Sequence, residues 1–198
     1  EKNSLCLDFN SLKEKVEIYT SKVKAIIFMS ANGRYPSYPI DELVKFCKEK
    51  SIYLIEDSAQ SLGSYYPNGK HIGTIGIAGS FSFSMPKIIT TGQGGVIVSN
   101  DNYLIERLRK YKDFGRSGGG LDFHSRIGLN MKFTDLQAVL GISQLRRIEK
   151  IKQIKKSNFL YLKNNIKNSL LKIIDNDVKF TTPWFYEIKT EKRDKLIE

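Results

Sequence analysis

The sequence is poor in the residues that mark several classes of protein. Its 198 residues include two cysteines, Cys6 and Cys47, which are too few for a disulfide framework and lack the paired spacing of a metal site. No apolar run approaches the roughly 18–20 residues that span a bilayer. We therefore expect a cytoplasmic protein without a metal centre or a membrane-spanning segment.

Charge is also scarce in one block of the chain. Residues 51–100 hold four charged side chains, those of Glu56, Asp57, Lys70 and Lys87. A stretch so sparse in charge is mostly interior, and a charge kept in an interior usually has a partner or a task. This block is therefore the first place to look for chemistry.

The chain as a whole is basic, with a net charge of +11 at pH 7. Residues 146–198 carry 14 Lys and Arg against 7 Asp and Glu, which gives a local net charge of +7. Proteins that read nucleic acids rely on clustered arginines beside exposed aromatic side chains. Here lysines outnumber arginines 24 to 8 and no such cluster is present. The charge indicates a compositional bias, and we expect no nucleic-acid partner.

The order of apolar segments predicts an α/β fold. Residues 24–29 form a short apolar run that is typical of a buried parallel strand. Residues 39–50 show one apolar face at helical spacing, with acidic residues in the first turn and lysines in the last. Residues 52–55 form the next strand. This βαβ unit predicts two parallel strands that place residues 56 and 57 at the edge where open α/β sheets bind ligands.

The central part of the chain continues the alternation. Residues 80–84 (SFSFS) alternate strictly and predict a strand with serines on one face and phenylalanines on the other. Residues 94–99 predict another strand, and Asp101 is placed to cap a helix that ends near residue 111. Residues 113–128 have the composition of a loop.

The last third of the chain predicts mostly helix. Thr134 and Gln137 form a capping-box pattern at the start of a long helix. Its apolar residues spread around the helix, so we expect it to be covered on more than one side. A lysine-rich helix to about residue 168, a strand at residues 184–188 and the start of another helix follow.

Lys87 stands apart from the other lysines. It is the only Lys or Arg between Lys70 and Arg107. An apolar site lowers the pKa of a lysine, because burial disfavours the ammonium, and this yields the free amine that attacks an aldehyde to form a Schiff base. The alternative is an ordinary solvated surface lysine.

Asp57 and Gln60 are candidates for the same site. A buried carboxylate at a strand end can keep the pyridine nitrogen of pyridoxal phosphate (PLP) protonated, so that the ring accepts electrons. Gln60, three residues further on, could donate a hydrogen bond to the ring hydroxyl. The alternatives are a helix N-cap for Asp57 and an ordinary polar loop residue for Gln60.

Several blocks of the sequence resemble the DegT/StrS family of nucleotide-sugar aminotransferases. Residues 56–63 (EDSAQSLG) resemble its E-D-x-A-Q-x-x-G stretch, and residues 80–95 (SFSFSMPKIITTGQGG) resemble its segment S-F-x-x-x-K-x-x-T-T-G-x-G-G. Residues 124–132 resemble its H…G-Y-N-Y-R segment, and residues 135–138 resemble the helix start that follows. Residues 183–186 resemble the first strand of its small domain.

The resemblance implies a fold type I PLP enzyme, in which a mixed, mostly parallel sheet is flanked by helices. Residues 1–150 would form the C-terminal part of the PLP-binding large domain. Residues 151–198 would form the linking helix and the beginning of a small α+β domain. The implied reaction moves an amino group, expected to come from glutamate, to the keto group of a nucleotide-linked sugar, for amino-sugar or surface-polysaccharide biosynthesis. The implied assembly is a homodimer with shared active sites.

The resemblance also implies roles for individual residues. Lys87 would hold the cofactor, Asp57 would face the pyridine nitrogen, and Gln60 would lie near the ring oxygen. Ser82 would bind the cofactor phosphate, and Asn130 would reach the phosphate of the neighbouring subunit's cofactor. The alternatives are a plain serine in an alternating strand for Ser82 and a turn residue for Asn130.

Two further residues are expected to contact substrate. His124 has the alternative of an ordinary loop histidine. Lys132 stands where the family often has arginine, so it keeps the charge but loses the bidentate fork. Further departures occur at Ile77, where the family often has Asp, and at Gln93, where it often has Glu.

Two other functions remain open from the sequence. The chain lacks the glycine-, serine- and threonine-containing phosphate turn that family members have earlier in their sequences, so a truncated, non-catalytic remnant is one alternative. A PLP-dependent reaction of another type on a sugar, such as dehydration, is the other. Dehydratases that resemble the family have histidine in place of the Schiff-base lysine, so Lys87 favours transamination.

Overall fold

The main sheet is mixed and mostly parallel, as predicted. The computed structural model describes residues 1–118 and 122–197. Four strands lie side by side in chain order: β1 (Ala25–Met29), β2 (Tyr53–Asp57), β3 (Ala78–Ser82) and β4 (Gly95–Val98). The first three are parallel, and β4 runs antiparallel to β3.

Helices and a small second sheet complete the described chain. The helices are α1 (Phe9–Tyr19), α2 (Ile40–Glu49), α3 (Asn102–Lys112), α4 (Asp135–Leu145), α5 (Ile148–Asn165) and α6 (Arg193–Ile197). Strands β5 (Lys172–Ile173) and β6 (Ile188–Lys189) form an antiparallel pair. Within residues 1–118 and 122–197, no helix is long and apolar enough to cross a membrane.

The predicted βαβ unit is present, and its core explains why it forms. Ile26 and Phe28 of β1 are buried, and so are Ile40, Leu43 and Cys47 on the apolar face of α2. Each large aliphatic or aromatic side chain that is fully buried contributes about 1.5–3 kcal/mol. The helix therefore covers one face of the sheet and sets the direction of β2.

The opposite face of the sheet is open in this chain. Ile27 and Tyr53 are 68% and 60% exposed, and Met29 is 47% exposed. Side chains alternate along a strand, so Asp57 lies on the same face as Tyr53. The carboxylate is therefore carried on the open side, at the carboxyl end of β2.

Two predicted strands differ from the structure. The strand expected at residues 80–84 is β3, which ends at Ser82, because the chain turns at Ser84 and the Lys87 N–H donates to the Ser84 carbonyl (3.1 Å). The strand expected at residues 184–188 is limited to β6. Its earlier part is not in a sheet, since the Phe185 N–H donates to the Asn32 side chain (2.6 Å).

The long helix is interrupted and lacks the expected cover. Thr134 and Gln137 form the predicted capping box, but α4 ends at Leu145 and α5 begins three residues later. Leu136 and Val139 are 81% and 66% exposed. The prediction of cover on more than one side is therefore wrong for this chain alone, because its described residues leave the apolar side chains of α4 in solvent.

Candidate active site

The edge of the sheet brings Asp57 to the position that the sequence predicts. Asp57 is the last residue of β2, half-buried, and stands in register with Met29 of β1 and Ser80 of β3. Its Oδ1 accepts a hydrogen bond from the Ala59 N–H (3.1 Å). This bond orients the carboxylate at the start of the loop that follows, where ligands of parallel sheets lie.

Glu56, beside Asp57, is fully buried and has four hydrogen-bond donors. Oε1 accepts from the Tyr66 hydroxyl (2.8 Å) and the Gly73 N–H (2.8 Å). Oε2 accepts from the N–H groups of Ile75 (2.6 Å) and Gly76 (2.7 Å). Burial and the Glu56 carboxylate raise the pKa of Tyr66, so the phenol stays a donor. Glu56 therefore anchors the segment that leads into β3 and does not face the candidate site.

Lys87 lies on the loop between β3 and β4. Two backbone bonds close this loop: the Phe83 N–H donates to Gly94 (2.8 Å), and the Thr91 N–H donates to Phe83 (2.9 Å). Lys87 is half-buried, and its Nζ lies 3.7 Å from the centre of the Trp184 ring. The lysine is therefore held against an aromatic side chain from the far end of the sequence.

Asp57 and Lys87 interact electrostatically. Burial lowers the pKa of Lys87 below its ordinary value, and the nearby Asp57 carboxylate acts in the opposite direction. The net result is a lysine that loses its proton more readily than a surface lysine. The two charged residues that the sequence singles out lie on neighbouring parts of the chain's sheet, Asp57 at the end of β2 and Lys87 on the loop after β3.

Gln60 and Ser82 are both near this edge of the sheet. The Gln60 Oε1 accepts from the Asn32 N–H (2.7 Å), which leaves the amide nitrogen as the free end. Ser82 is the last residue of β3, one strand from Asp57, and its Oγ accepts from the Ser84 N–H (3.3 Å) and donates to the Ser84 Oγ (3.1 Å). A pair of hydroxyls at a strand end is suited to an anionic group.

The remaining predicted residues form a second group. The His124 Nδ1 lies 2.8 Å from the Phe114 carbonyl oxygen. The backbone of Asn130 pairs with that of Asp113 in a single antiparallel β-bridge. Lys132 forms an ion pair with Asp113 (3.3 Å). Nothing in the described parts of the chain joins this group to Lys87 by a hydrogen bond or an ion pair. His124, Asn130 and Lys132 are all exposed.

A basic cleft adjoins the second group. It has a volume of about 530 Å³ and lies between the end of α3 and the following loop. Its lining carries more positive than negative charge: Glu106, Arg109, Lys110, Lys112, Asp113 and Arg116. The cleft therefore favours an anionic ligand.

The sequence did not point to three residues that shape the site. Trp184 supplies the ring against which Lys87 lies, and Asn32 supplies the N–H that binds Gln60. The His71 Nε2 accepts from the Gly63 N–H (3.0 Å) and its Nδ1 lies 2.6 Å from the Ile72 carbonyl. His71 is therefore a neutral ring that braces the loop after Asp57, and burial lowers its pKa.

Comparisons with known proteins identify the family of the chain. A model of the DegT/DnrJ/EryC1/StrS aminotransferase family matches residues 1–198. The GDP-perosamine synthase of Escherichia coli O157:H7 is 34% identical over 197 residues, which are 96% of this chain and 51% of that protein. The chain thus spans about half the length of the curated relatives it matches.

Solved structures show the same fold. Helicobacter pylori PseC, an aminotransferase involved in the biosynthesis of pseudoaminic acid, superimposes with a TM-score of 0.85 at 27% identity over 100% of this chain and 54% of its own. The E. coli GDP-4-keto-6-deoxy-D-mannose-3-dehydratase, solved with bound hydrated PLP, gives 0.85 at 24% identity over 100% and 55%. The fold type I prediction is confirmed. The chain belongs to the DegT/DnrJ/EryC1/StrS aminotransferase family.

Proposed function

We propose that the full-length protein is a PLP-dependent aminotransferase that moves an amino group from an amino acid, expected to be glutamate, to the keto group of a nucleotide-linked sugar. The observation that carries this proposal is that Asp57 lies at the carboxyl edge of the parallel strands while Lys87, on the loop after β3, is half-buried against the Trp184 ring. The relatives named as GDP-perosamine synthase and as an aminotransferase of pseudoaminic acid biosynthesis support the substrate class.

The side chains at this edge fit PLP by their chemistry. Asp57 is a carboxylate suited to the pyridine nitrogen, Gln60 offers its amide nitrogen to the ring oxygen, and the Ser82 hydroxyl is suited to the phosphate. When bound, PLP supplies a ring that accepts electrons from the substrate carbon that loses its proton. The chain supplies the groups that hold and orient that ring.

Lys87 has two tasks in this proposal. Burial lowers the pKa of Lys87, which favours the free Nζ amine that binds the cofactor. Once released, the same Nζ would take a proton from the substrate carbon as a base and then give the proton back as an acid. Asp57 would face the pyridine nitrogen and balance the charge on it.

We further propose a homodimer in which Asn130 serves the cofactor of the partner subunit. Asn130 is exposed and lies between Leu129 and Met131, which are 59% and 67% exposed. The uncovered apolar residues of α4 follow directly in the chain, and the basic cleft adjoins the same loop. A second copy seated here would cover the apolar side chains and bring cations near phosphate. His124 and Lys132 would then face substrate.

The domain boundaries and the cellular location are two further parts of this proposal. We propose that residues 1–150 belong to the large domain and residues 151–198 to the linking helix and small domain, which is consistent with the separate sheets before and after α5. We also propose a cytoplasmic location, for which the two buried free thiols, Cys6 and Cys47, are suited.

The test of the function uses the full-length protein and three variants. Lys87→Ala should abolish the visible absorption of bound PLP, while Lys70→Ala, a change at an exposed lysine of the same block, should leave it intact. Lys87→Arg covers the case in which the alanine variant fails to fold. Visible absorption that persists in a folded Lys87 variant would refute the assignment.

The type of reaction has its own readout. Glutamate should convert the bound cofactor to pyridoxamine phosphate, which chromatography of the released cofactor detects. If PLP binds but this product does not form with any amino acid, the protein catalyses another reaction. If the full-length protein folds and binds no PLP, the proposed activity is refuted.

Sharing of sites between subunits is tested by mixing two inactive variants, Lys87→Ala and Asn130→Asp. Some mixed dimers carry both changes in one site and leave the other site intact, so activity should return in part. No recovery, with subunit exchange shown by mass spectrometry, would place Asn130 in its own subunit's site or outside the chemistry.

A further inference from the structure

Asn32 occupies an unusual position directly after β1. It is 2% exposed, and its backbone is in the left-handed region, with φ +52° and ψ +35°. Residues other than glycine rarely adopt this conformation, and asparagine is among those that tolerate it best. A buried polar side chain in such a conformation requires partners from the surrounding structure.

The Asn32 side chain binds the backbone of Phe185 at two points. Its Nδ2 donates to the Phe185 carbonyl (2.5 Å), and its Oδ1 accepts from the Phe185 N–H (2.6 Å). Nδ2 also donates to Glu187 Oε2 (3.0 Å), a carboxylate that pairs with Arg34. The segment that carries Phe185 is therefore fixed to the end of β1 through a side chain rather than through a sheet.

That segment carries the surface against which Lys87 rests. Trp184 stacks on Phe185 with ring centres 3.9 Å apart, and the Trp184 Nε1 donates to the Pro86 carbonyl (2.6 Å). The Lys87 Nζ lies over the Trp184 ring. A change at Asn32 that releases Phe185 would therefore also move the ring that contacts the lysine.

The backbone of Asn32 determines the orientation of Gln60. The donor in this contact is a backbone N–H, so only the oxygen of the Gln60 amide can accept it. The carbonyl end of the amide therefore points to Asn32, and the NH₂ end is directed away from it. If the amide were free, either end could face a ligand.

We infer that Asn32 is a positioning residue for the cofactor site: it presents the Gln60 amide nitrogen to the ring oxygen of PLP and holds the Trp184–Phe185 segment against Lys87. This inference rests on the proposed function. Asn32 itself contacts neither the cofactor nor the substrate, so it acts entirely through Gln60 and Phe185.

The test measures the coupling between Asn32 and Gln60 in the full-length protein. Asn32→Gly accepts the left-handed backbone without strain and keeps the backbone N–H that Gln60 accepts. It removes the side-chain bonds to Phe185 and Glu187 that hold this backbone in place. It should raise the Kd for PLP about threefold to tenfold, the range expected for one net hydrogen bond. Gln60→Ala should have a similar effect, and the double variant should be no weaker than about twice the weaker single variant, because the position of the Asn32 N–H no longer affects the cofactor once the Gln60 amide is gone.

Thr182→Val is the matched control. Thr182 is fully buried in the same contact between the two segments, and its Oγ1 donates to the Gly63 carbonyl (3.1 Å), but it has no bond to Gln60. This variant should lose stability while its Kd for PLP stays within about twofold of the parent, since it disturbs packing alone. With Gln60→Ala it should combine additively in free energy.

A spectroscopic readout separates positioning from general destabilisation. The pH midpoint of the visible absorbance change of bound PLP should shift in the same direction in Asn32→Gly and Gln60→Ala and stay unchanged in Thr182→Val. If Asn32→Gly does not fold, Asn32→Asp replaces it, because its second oxygen would face the Phe185 carbonyl and the Glu187 carboxylate. The same Kd and pH shifts are expected.

The outcomes separate this inference from the proposed function. If the parent binds PLP and a folded Asn32 variant binds it equally well, only the role of Asn32 is refuted. The same holds if the effects of Asn32→Gly and Gln60→Ala on the Kd simply multiply. If the parent binds no PLP, the proposed function fails and this inference fails with it.

Discussion

Replacing Glu56 with glutamine is expected to destabilise the protein by about 2–5 kcal/mol, although it changes one atom. The carboxylate accepts four hydrogen bonds, two at each oxygen, from Tyr66 and from the backbone of residues 73–76. Glutamine has one acceptor oxygen and one NH₂ group. In any orientation the NH₂ group must therefore face donors.

The better orientation of glutamine can be worked out from the partners. The Tyr66 hydroxyl can rotate and accept from the NH₂ group, whereas the Gly73 N–H cannot and would lose its partner. A buried donor without a partner costs about 1–3 kcal/mol. The remaining bonds would change from charge-assisted to neutral, and neutral bonds are roughly half as strong. Easier burial of a neutral amide offsets part of this loss.

Urea unfolding of the full-length protein, followed by circular dichroism, measures the effect. Tyr66→Phe is the comparison, because it removes one donor and leaves the carboxylate with three. It should cost about 1.5–3 kcal/mol, less than Glu56→Gln. A Glu56→Gln variant that loses under about 1 kcal/mol, or less than Tyr66→Phe, would show that the loop is held by other contacts.

Three further predictions concern titration and backbone space. The free energy of unfolding should decrease as the pH falls below about 6.5, because the folded protein keeps His71 neutral while the same histidine binds a proton in the unfolded chain. His71→Gln should flatten this part of a curve of stability against pH. Asp57→Asn should lower the pKa of Lys87 further, seen as a lower pH midpoint for its labelling by acetic anhydride. Gly115→Ala should disrupt the loop around Asn130 and weaken PLP binding, because its Cβ would lie 1.7 Å from the Arg126 carbonyl oxygen.

Each of these predictions has a control or a contrary result. A stability–pH curve that keeps its full slope in His71→Gln would show that His71 is not the source of the pH dependence. Gly69→Ala is matched to Gly115→Ala, since both glycines have positive φ but Gly69 has nothing within 4 Å of a Cβ; equal effects would assign the loss to backbone strain. An unchanged or higher midpoint for Lys87 labelling in Asp57→Asn would contradict the interaction between the two side chains.

Local sequence patterns predicted most of the strands of the main sheet and singled out Asp57 and Lys87 as candidate site residues. The apolar run before Glu56 and the amphipathic face of α2 are local signals, and each leads to one strand or helix in the structure. Asp57 and Lys87 could be selected because few charged residues surround them in the sequence. These features depend on residues within a few positions of one another.

The parts that could not be predicted depend on distant partners. Phe185 is of a residue type that is common in strands, but its backbone N–H donates to a side chain 153 positions earlier in the sequence. No pattern of local sequence spacing predicts such a pair. Trp184 could be assigned to a strand but not to Lys87. The exposed apolar residues of α4 show the same limit of sequence analysis. Their pattern indicates that they should be buried, but it does not indicate which segment or subunit buries them.

The contacts between Asn32 and Phe185 can form only late during protein synthesis. Strand β2, which carries Asp57, and the loop that carries Lys87 have left the ribosome well before Trp184 is made, and the pairing of β1, β2 and β3 can begin at once. The aromatic surface under Lys87 and the side-chain bonds of Asn32 to Phe185 and Glu187 exist only after residue 187 has emerged. Because contacts of such large sequence separation form late in folding, the nascent chain can capture its cofactor in the native manner only near the end of translation of this segment or after it.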